Sequence, residues 1–328
     1  IWHSLAKTYK RIEADFLAVK PLIKILDLFH GSKILSPRSW GATHLSVRRD
    51  DTLFTANRFF LLKDFTYHII LMKNLIKTPQ QIQNISDSCA YLTELLHYLK
   101  EHTKAGMSLI EVEELAQAWL DKRNLKGAFK GYEGFPANLC LSVNDCVVHG
   151  IPDETLLKNW DLLKIDTGVL YKKGISDACI SMIIGDAGLN PLGAELIKIT
   201  KQALDRWVAS IETWGFAYDY SKAVYNHVKN NGFEIIKTLT GHGVGNEVHE
   251  LPHFYNYPNA KMKKIEWIPW MIIALEPITA VKSDDVVYHE SDWNLYCRKG
   301  DLGAQWEYTV LITENGPKVL AGVTEDWY

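Results

Sequence analysis

Residues 162–184 read LLKIDTGVLYKKGISDACISMII, two apolar runs joined by Tyr171-Lys172-Lys173-Gly174. The runs 162–170 and 175–184 are short, rich in large aliphatic residues and separated by a turn-like connection, which predicts a β-hairpin. Each carries one carboxylate in otherwise apolar surroundings, Asp166 in the first and Asp177 in the second. Their separation is odd, so across a hairpin with an even-length loop they are expected to fall opposite each other on one face. Two carboxylates set together in an apolar environment repel and lose hydration. A divalent cation between them removes both penalties. The alternative is that one of the two is a solvent-facing residue near the turn.

Working outward, the elements repeat. Thr78, Pro79 and Gln81 read as N-cap, N1 and N3 of a capping box. Ile82, Ile85, Cys89, Leu92, Leu96 and Leu99 then recur at helical spacing, predicting a helix over 79–103. Ser108, with Glu111 three residues on, opens a second helix, and a strand-rich stretch follows over about 138–185. Asn190-Pro191 opens a third helix with Leu196, Ile199, Ala203, Val208 and Ile211 on one face. A shorter helix over about 219–230 stops at Asn231-Gly232, and a second strand-rich stretch spans 233–315. Two helices and then strands, twice over, predict an α/β (α+β) fold of two similar halves around one sheet.

Composition narrows the function. With 47% hydrophobic and 23% charged residues, the 328-residue chain has the makings of a packed core and none of the signature of disorder. The 5 Cys form no CxxC pair, which disfavours a disulfide framework or a cysteine-rich zinc module and suits a reducing, cytoplasmic compartment. Residues 1–10 carry charge early, lack an apolar signal-peptide core and do not begin with Met. A net charge of -3 predicts no strong attraction to nucleic acid or membrane. The charge is uneven, however: residues 1–74 hold 12 Lys/Arg against 6 Asp/Glu. A basic amino-terminal extension over 1–75, followed by the main domain over 76–328, is the expected division.

Among 12 His, three stand in unusual settings. His242 lies in TGHGVG, where glycines allow close backbone approach; His249 lies in VHELP and His149 in VVHGIP. Glu276 ends MIIALE, and Glu307 sits within the strand-like AQWEYTVLIT, with no Lys or Arg in either run to neutralise it. Taken singly, each has an ordinary structural reading. Together, four carboxylates and an imidazole in apolar or glycine-rich settings are most economically read as one shared site. Oxygen-rich ligation with a single His favours Mn, Fe, Co or Zn in a two-metal arrangement.

The ordered set Asp166, Asp177, His242, Glu276 and Glu307 resembles the metal-ligand set of the methionine aminopeptidases, type I-like members of the pita-bread metallopeptidase superfamily. IKTPQQIQNI, GYEGFPANLCLSVNDCVVHGIPDETLLKNWDLLKIDTG, GHGVGNEVHELP, EPIT and AQWEYTVLIT extend the likeness over roughly 76–315. The resemblance implies a pita-bread fold with two pseudo-symmetric halves around a curved, mainly antiparallel sheet. It implies release of amino-terminal Met from nascent proteins or peptides with a small second residue, by attack of a hydroxide bridging two divalent ions. Asp177 and Glu307 would bridge the ions, Asp166 would complete one, and His242 with Glu276 the other. Glu276 would also accept and shuttle the proton. His249 would bond the scissile carbonyl oxygen, His149 would face the amide nitrogen, and the substrate's free amino group would bind metal. Phe129, Tyr132, Phe135, Cys140, Val248 and Trp293 would form the side-chain pocket, and Asn144 would lie near a monovalent-cation site. A peptide or nascent chain would be the substrate, a monomer in the cytoplasm the working form, and contact with ribosomal RNA a role for the basic segment.

Three departures concern Met preference: Tyr308 where the family has His, Val248 where it has an aromatic, and Phe129 where a smaller residue is common. SDACIS and VHELP lean toward the Xaa-Pro aminopeptidase and prolidase branch. HGIP, GYEGFP, Trp293 and the wide gap from Glu276 to Glu307 lean away from it, and the compact stretch between His249 and Glu276 resembles the type I enzymes, with no room for the long insertion of type II. A non-catalytic pita-bread binding protein is the third reading, opposed by the presence of all five ligands.

Overall fold

The computed structural model describes residues 75–288 and 293–325; the basic extension expected over 1–75 lies outside them but for Leu75. Two helices come first, α1 (Pro79–His102) and α2 (Leu109–Lys122). Both start on the expected capping boxes, with Thr78 Oγ1 accepting from Gln81 N at 3.3 Å and Ser108 Oγ accepting from Glu111 N at 3.2 Å. The strands β1 (Lys126–Gly127), β2 (Leu139–Val143), β3 (Cys146–Val148), β4 (Leu162–Tyr171) and β5 (Gly174–Ile183) complete the first half. The second half opens with α3 (Pro191–Ser210), capped by Asn190, and α4 (Ala217–Asn230). Its first strands are β6 (Glu234–Ile235), β7 (Thr240–Gly243), β8 (Glu250–Tyr255), β9 (Ile272–Leu275) and β10 (Ile278–Ala280). β11 (Val286–Val287), β12 (Leu295–Cys297), β13 (Gly303–Gln305), β14 (Tyr308–Thr313) and β15 (Gly316–Ala321) follow.

All the ladders are antiparallel. β5, β4 and β2 form the sheet of the first half, and β15-β14-β9-β7-β8 that of the second. The two meet along β5. There Glu307 N donates to Cys179 O at 3.0 Å, Asp177 N to Thr309 Oγ1 at 3.0 Å, and Ser181 Oγ to Gln305 O at 2.6 Å. The sheet of the sequence reading is thus two main ladders stitched edge to edge, with β11-β12-β3 and β13-β10-β6 as smaller neighbours.

The central hairpin is buried on both faces over 162–169 and 174–181, which is why its strands read as continuous apolar runs. Its two-residue loop places Lys172 and Lys173 at φ 48° and 68°, the left-handed pair that matches strand twist. α1 lies across the hairpin with Ile85, Cys89, Leu92, Leu96 and Leu99 fully buried, each aliphatic contributing about 1.5–3 kcal/mol. Ser88 Oγ donates to Val169 O at 2.6 Å and so fixes the helix on the strand. Among the described residues no helix is long and apolar enough to cross a membrane.

Candidate metal centre

Five sequence-predicted donors converge where the two halves meet. β4 supplies Asp166, β5 Asp177, β7 His242, the residue after β9 Glu276, and the residue before β14 Glu307. All are 2–8% exposed and line one cavity of about 260 Å³. The expectation that Asp166 and Asp177 stand directly opposite is corrected. Asp166 pairs with Cys179, and Asp177 with Gly168, so the two carboxylates are diagonal neighbours on the same face. The closing pair Tyr171–Gly174 sets this two-residue offset. A diagonal spacing keeps both groups within reach of one site while separating their charges more than a direct pair would.

His242 Nδ1–H donates to Gly243 O at 2.9 Å, leaving the unprotonated Nε2 to face 3.3 Å to Glu276 Oε1 and 3.9 Å to Asp177 Oδ2. Burial holds this imidazole near pKa 4, hence neutral. Gly241 makes the position possible, since a Cβ there would stand 2.5 Å from Ala274 O. A lone pair aimed at carboxylates is favourable only with a cation between them. The carboxylates say the same: burial, and then mutual repulsion, push Asp166, Asp177 and Glu307 well above the usual range, and burial pushes Glu276 to about 8. Among the described residues lining the cavity there is no Lys or Arg. Asp166 Oδ1, Asp177 Oδ1 and Glu307 Oε1 are buried without a hydrogen-bond partner, each a costly omission unless a metal supplies the partner. Donor atoms of Asp177, His242 and Glu307 lie within 4.8 Å of one another, which fits a shared divalent ion.

The remaining walls match the predicted pocket. Phe129, Tyr132, Phe135, Cys140, Val248 and Trp293 all line this cavity, as do His149 and His249. Phe135 meets Trp293 edge-on at 5.5 Å, and His149 lies 6.4 Å from the same indole. Cys140 pairs across the ladder with Asp166, and burial pushes its thiol far up, so it presents a neutral, apolar sulfur. His249 meets His242 edge-on, with ring centres 4.4 Å apart, and shares a 3.1 Å hydrogen bond with the Tyr132 hydroxyl. Burial, with the neighbouring His242, holds His249 near pKa 4, and burial does the same for His149. His149 adopts φ 59°, a left-handed conformation that costs a non-glycine residue on the order of 1–3 kcal/mol and is typical of functional sites.

One departure resolves geometrically. Tyr308 points away from the cavity: its hydroxyl lies within donating distance of Asp205 Oδ1 at 2.9 Å and of Val323 O at 3.0 Å. Its ring lies where a Cβ on Gly322 would come within 2.3 Å. Asn144 does not line the cavity; its carbonyl oxygen accepts from Lys164 Nζ at 2.8 Å. Sequence reasoning missed Gln305, whose amide donates to Glu276 Oε2 at 3.1 Å and to Asp166 Oδ2 at 3.5 Å. It also missed the lining residues Glu133, Thr238, Thr240 and His253. Strand alternation offered the signal for Gln305, which stands two residues before Glu307.

The profile of metallopeptidase family M24 matches residues 83–314. A methionine aminopeptidase of Clostridium acetobutylicum is 31% identical over 249 residues, covering 75% of this chain and 98% of the relative. The crystal structure of methionine aminopeptidase from Thermotoga maritima superposes with a TM-score of 0.72 at 31% identity, covering 76% of this chain and 99% of that one. The prolidase from Pyrococcus horikoshii OT3 superposes with a TM-score of 0.62 at 23% identity, over 79% of this chain and 65% of the prolidase, a likeness of fold alone.

Proposed function

The chain belongs to metallopeptidase family M24, and from that membership we propose how it works: it is a metal-dependent exopeptidase that removes methionine from the amino terminus of peptides or proteins with a small second residue. The observation that carries this reading is the convergence in one cavity of four buried carboxylates, three with unpartnered oxygens, and the Nε2 of His242, beside apolar walls.

Asp166, Asp177, His242, Glu276 and Glu307 would hold two divalent cations drawn from Mn, Co, Fe or Zn, with Asp177 and Glu307 shared. Such a pair, when bound, lowers the pKa of water and offsets charge that develops on a scissile carbonyl oxygen. Glu276 accepts the proton of the attacking water and returns it to the departing amine. The Tyr132 hydroxyl, donating to His249 Nδ1, keeps the imidazole proton on Nε2, where it can donate to the scissile carbonyl oxygen. His149 faces the amide nitrogen. Phe135, Trp293, Cys140, Phe129 and Val248 exclude water and favour a thioether, which aromatic rings attract weakly.

The Xaa-Pro reading has the shared fold in its favour, and the apolar recess with His149 at its wall favours methionine. Comparison of Met-Ala-Ser with an Xaa-Pro peptide after Mn or Co loading tests the choice. Hydrolysis of the first alone is expected; hydrolysis of the second alone would overturn the assignment. The monomeric state, the cytoplasmic location and ribosome contact through the basic amino-terminal segment belong to the same proposal. The ribosome contact predicts salt-sensitive cosedimentation that disappears on deleting residues 1–74.

A further inference from the structure

Lys164 is fully buried, an environment that lysine avoids unless its charge is held by a partner. It sits where three segments join: the β2–β3 turn, β4, and the start of β13. Asn144 is the hub. Its side chain accepts from Leu162 N at 2.9 Å and donates to Asp161 Oδ1 at 2.9 Å. Its carbonyl accepts from Gly303 N at 3.1 Å and from Lys164 Nζ at 2.8 Å. A carbonyl oxygen has two lone pairs, and both are engaged here. Next to the hub, Cys297 N donates to Asp145 O at 2.8 Å, so the turn binds the second half at two points. The three joined segments each lead into the catalytic recess: Lys164 is two residues from Asp166, Gly303 two from Gln305, and Asn144 five from His149.

We propose that the Lys164 ammonium is the resident monovalent cation of this junction, tethered to the chain, so that the junction takes no free sodium or potassium ion. A primary ammonium carries the charge of such an ion, prefers the same carbonyl ligand and has no entropy of capture to lose. Lys164 is a positioning residue: it holds the turn and β13 against β4, and through them the spacing of Asp166, Gln305 and His149. The inference does not depend on which peptide is cut.

The test is the melting temperature of the Mn-loaded full chain, with peptide hydrolysis followed in parallel, in choline, sodium and potassium chloride at one ionic strength. The unaltered protein is expected to melt equally in all three. Lys164→Ala is expected to melt on the order of 10 °C lower in choline. It should recover most of that loss saturably in potassium or sodium, because the deleted side chain leaves room for an ion. Lys164→Met fills the space without charge and is expected to be lowered and not rescued. A saturable rise in the unaltered protein, or a Lys164→Ala loss that is the same in all three salts, overturns the proposal. Should both variants fail to fold, the salt series on the unaltered protein decides: a flat response supports the proposal and a saturable one ends it.

Discussion

Glu276 combines two demands that a single carboxyl rarely meets: it is buried beside other carboxylates, and one of its oxygens is engaged by the Gln305 amide. Glu276→Gln keeps the shape and removes the charge. Steady-state assays should show turnover lower by about a thousandfold. In metal-free protein at pH 8 the same substitution should raise the melting temperature, because it deletes a buried charge that the Gln305 amide offsets only in part. Tyr132→Phe removes the hydroxyl that sets the His249 tautomer, and kcat should fall about tenfold with a smaller change in KM, since the lost contact matters most as charge develops. At this scale the sequence was informative wherever a charge interrupts an apolar run, as at Asp166, Asp177 and Glu307. The signal was weak at Gln305, which strand alternation places on the face of Glu307 but whose amide has many ordinary explanations; the same alternation puts Tyr308 on the opposite face, a consequence the residue type alone does not show.

Among the elements, the helices were the most legible, since their starts are written in local chemistry. Thr78 and Gln81 exchange hydrogen bonds, Ser108 and Glu111 do the same, and Asn190 Oδ1 accepts from Gly193 N at 2.9 Å. Thr78→Ala should cost about 1 kcal/mol in urea unfolding with no change of slope, a figure set by the loss of one cap. The strands were less legible. The pairing of Asp166 with Cys179 rather than Asp177 depends on where the turn closes, which residue types alone leave open. β15 lies past the expected end at 315, although Asn315-Gly316 with Gly316 at φ 111° is a recognisable turn. Its edge position tolerates Pro317, the residue that argues against a strand.

Over the whole molecule, the recess makes stability depend jointly on pH and metal. Glu276 rises from 4.5 to about 8 on burial, and Asp166, Asp177 and Glu307 are also raised by burial and by one another. A carboxyl whose folded pKa lies above its unfolded value stabilises the fold below the unfolded value, and the effect is lost as pH climbs through the folded one. Chelator-treated protein should therefore lose stability between about pH 4.5 and 8, the window that Glu276 defines. Saturating Mn should flatten or reverse that slope by favouring the ionised forms; parallel melting curves with and without Mn would refute the account.

The seam between the halves carries one more implication. Two donors come from the first half and three from the second, and the Glu307 amide crosses the divide to Cys179 O at 3.0 Å. Bound metal would therefore act as a clasp joining the two lobes. Removing it should unlatch this boundary before either lobe loosens, so deuterium uptake should quicken first at the Glu307 amide while the α1 amides stay protected.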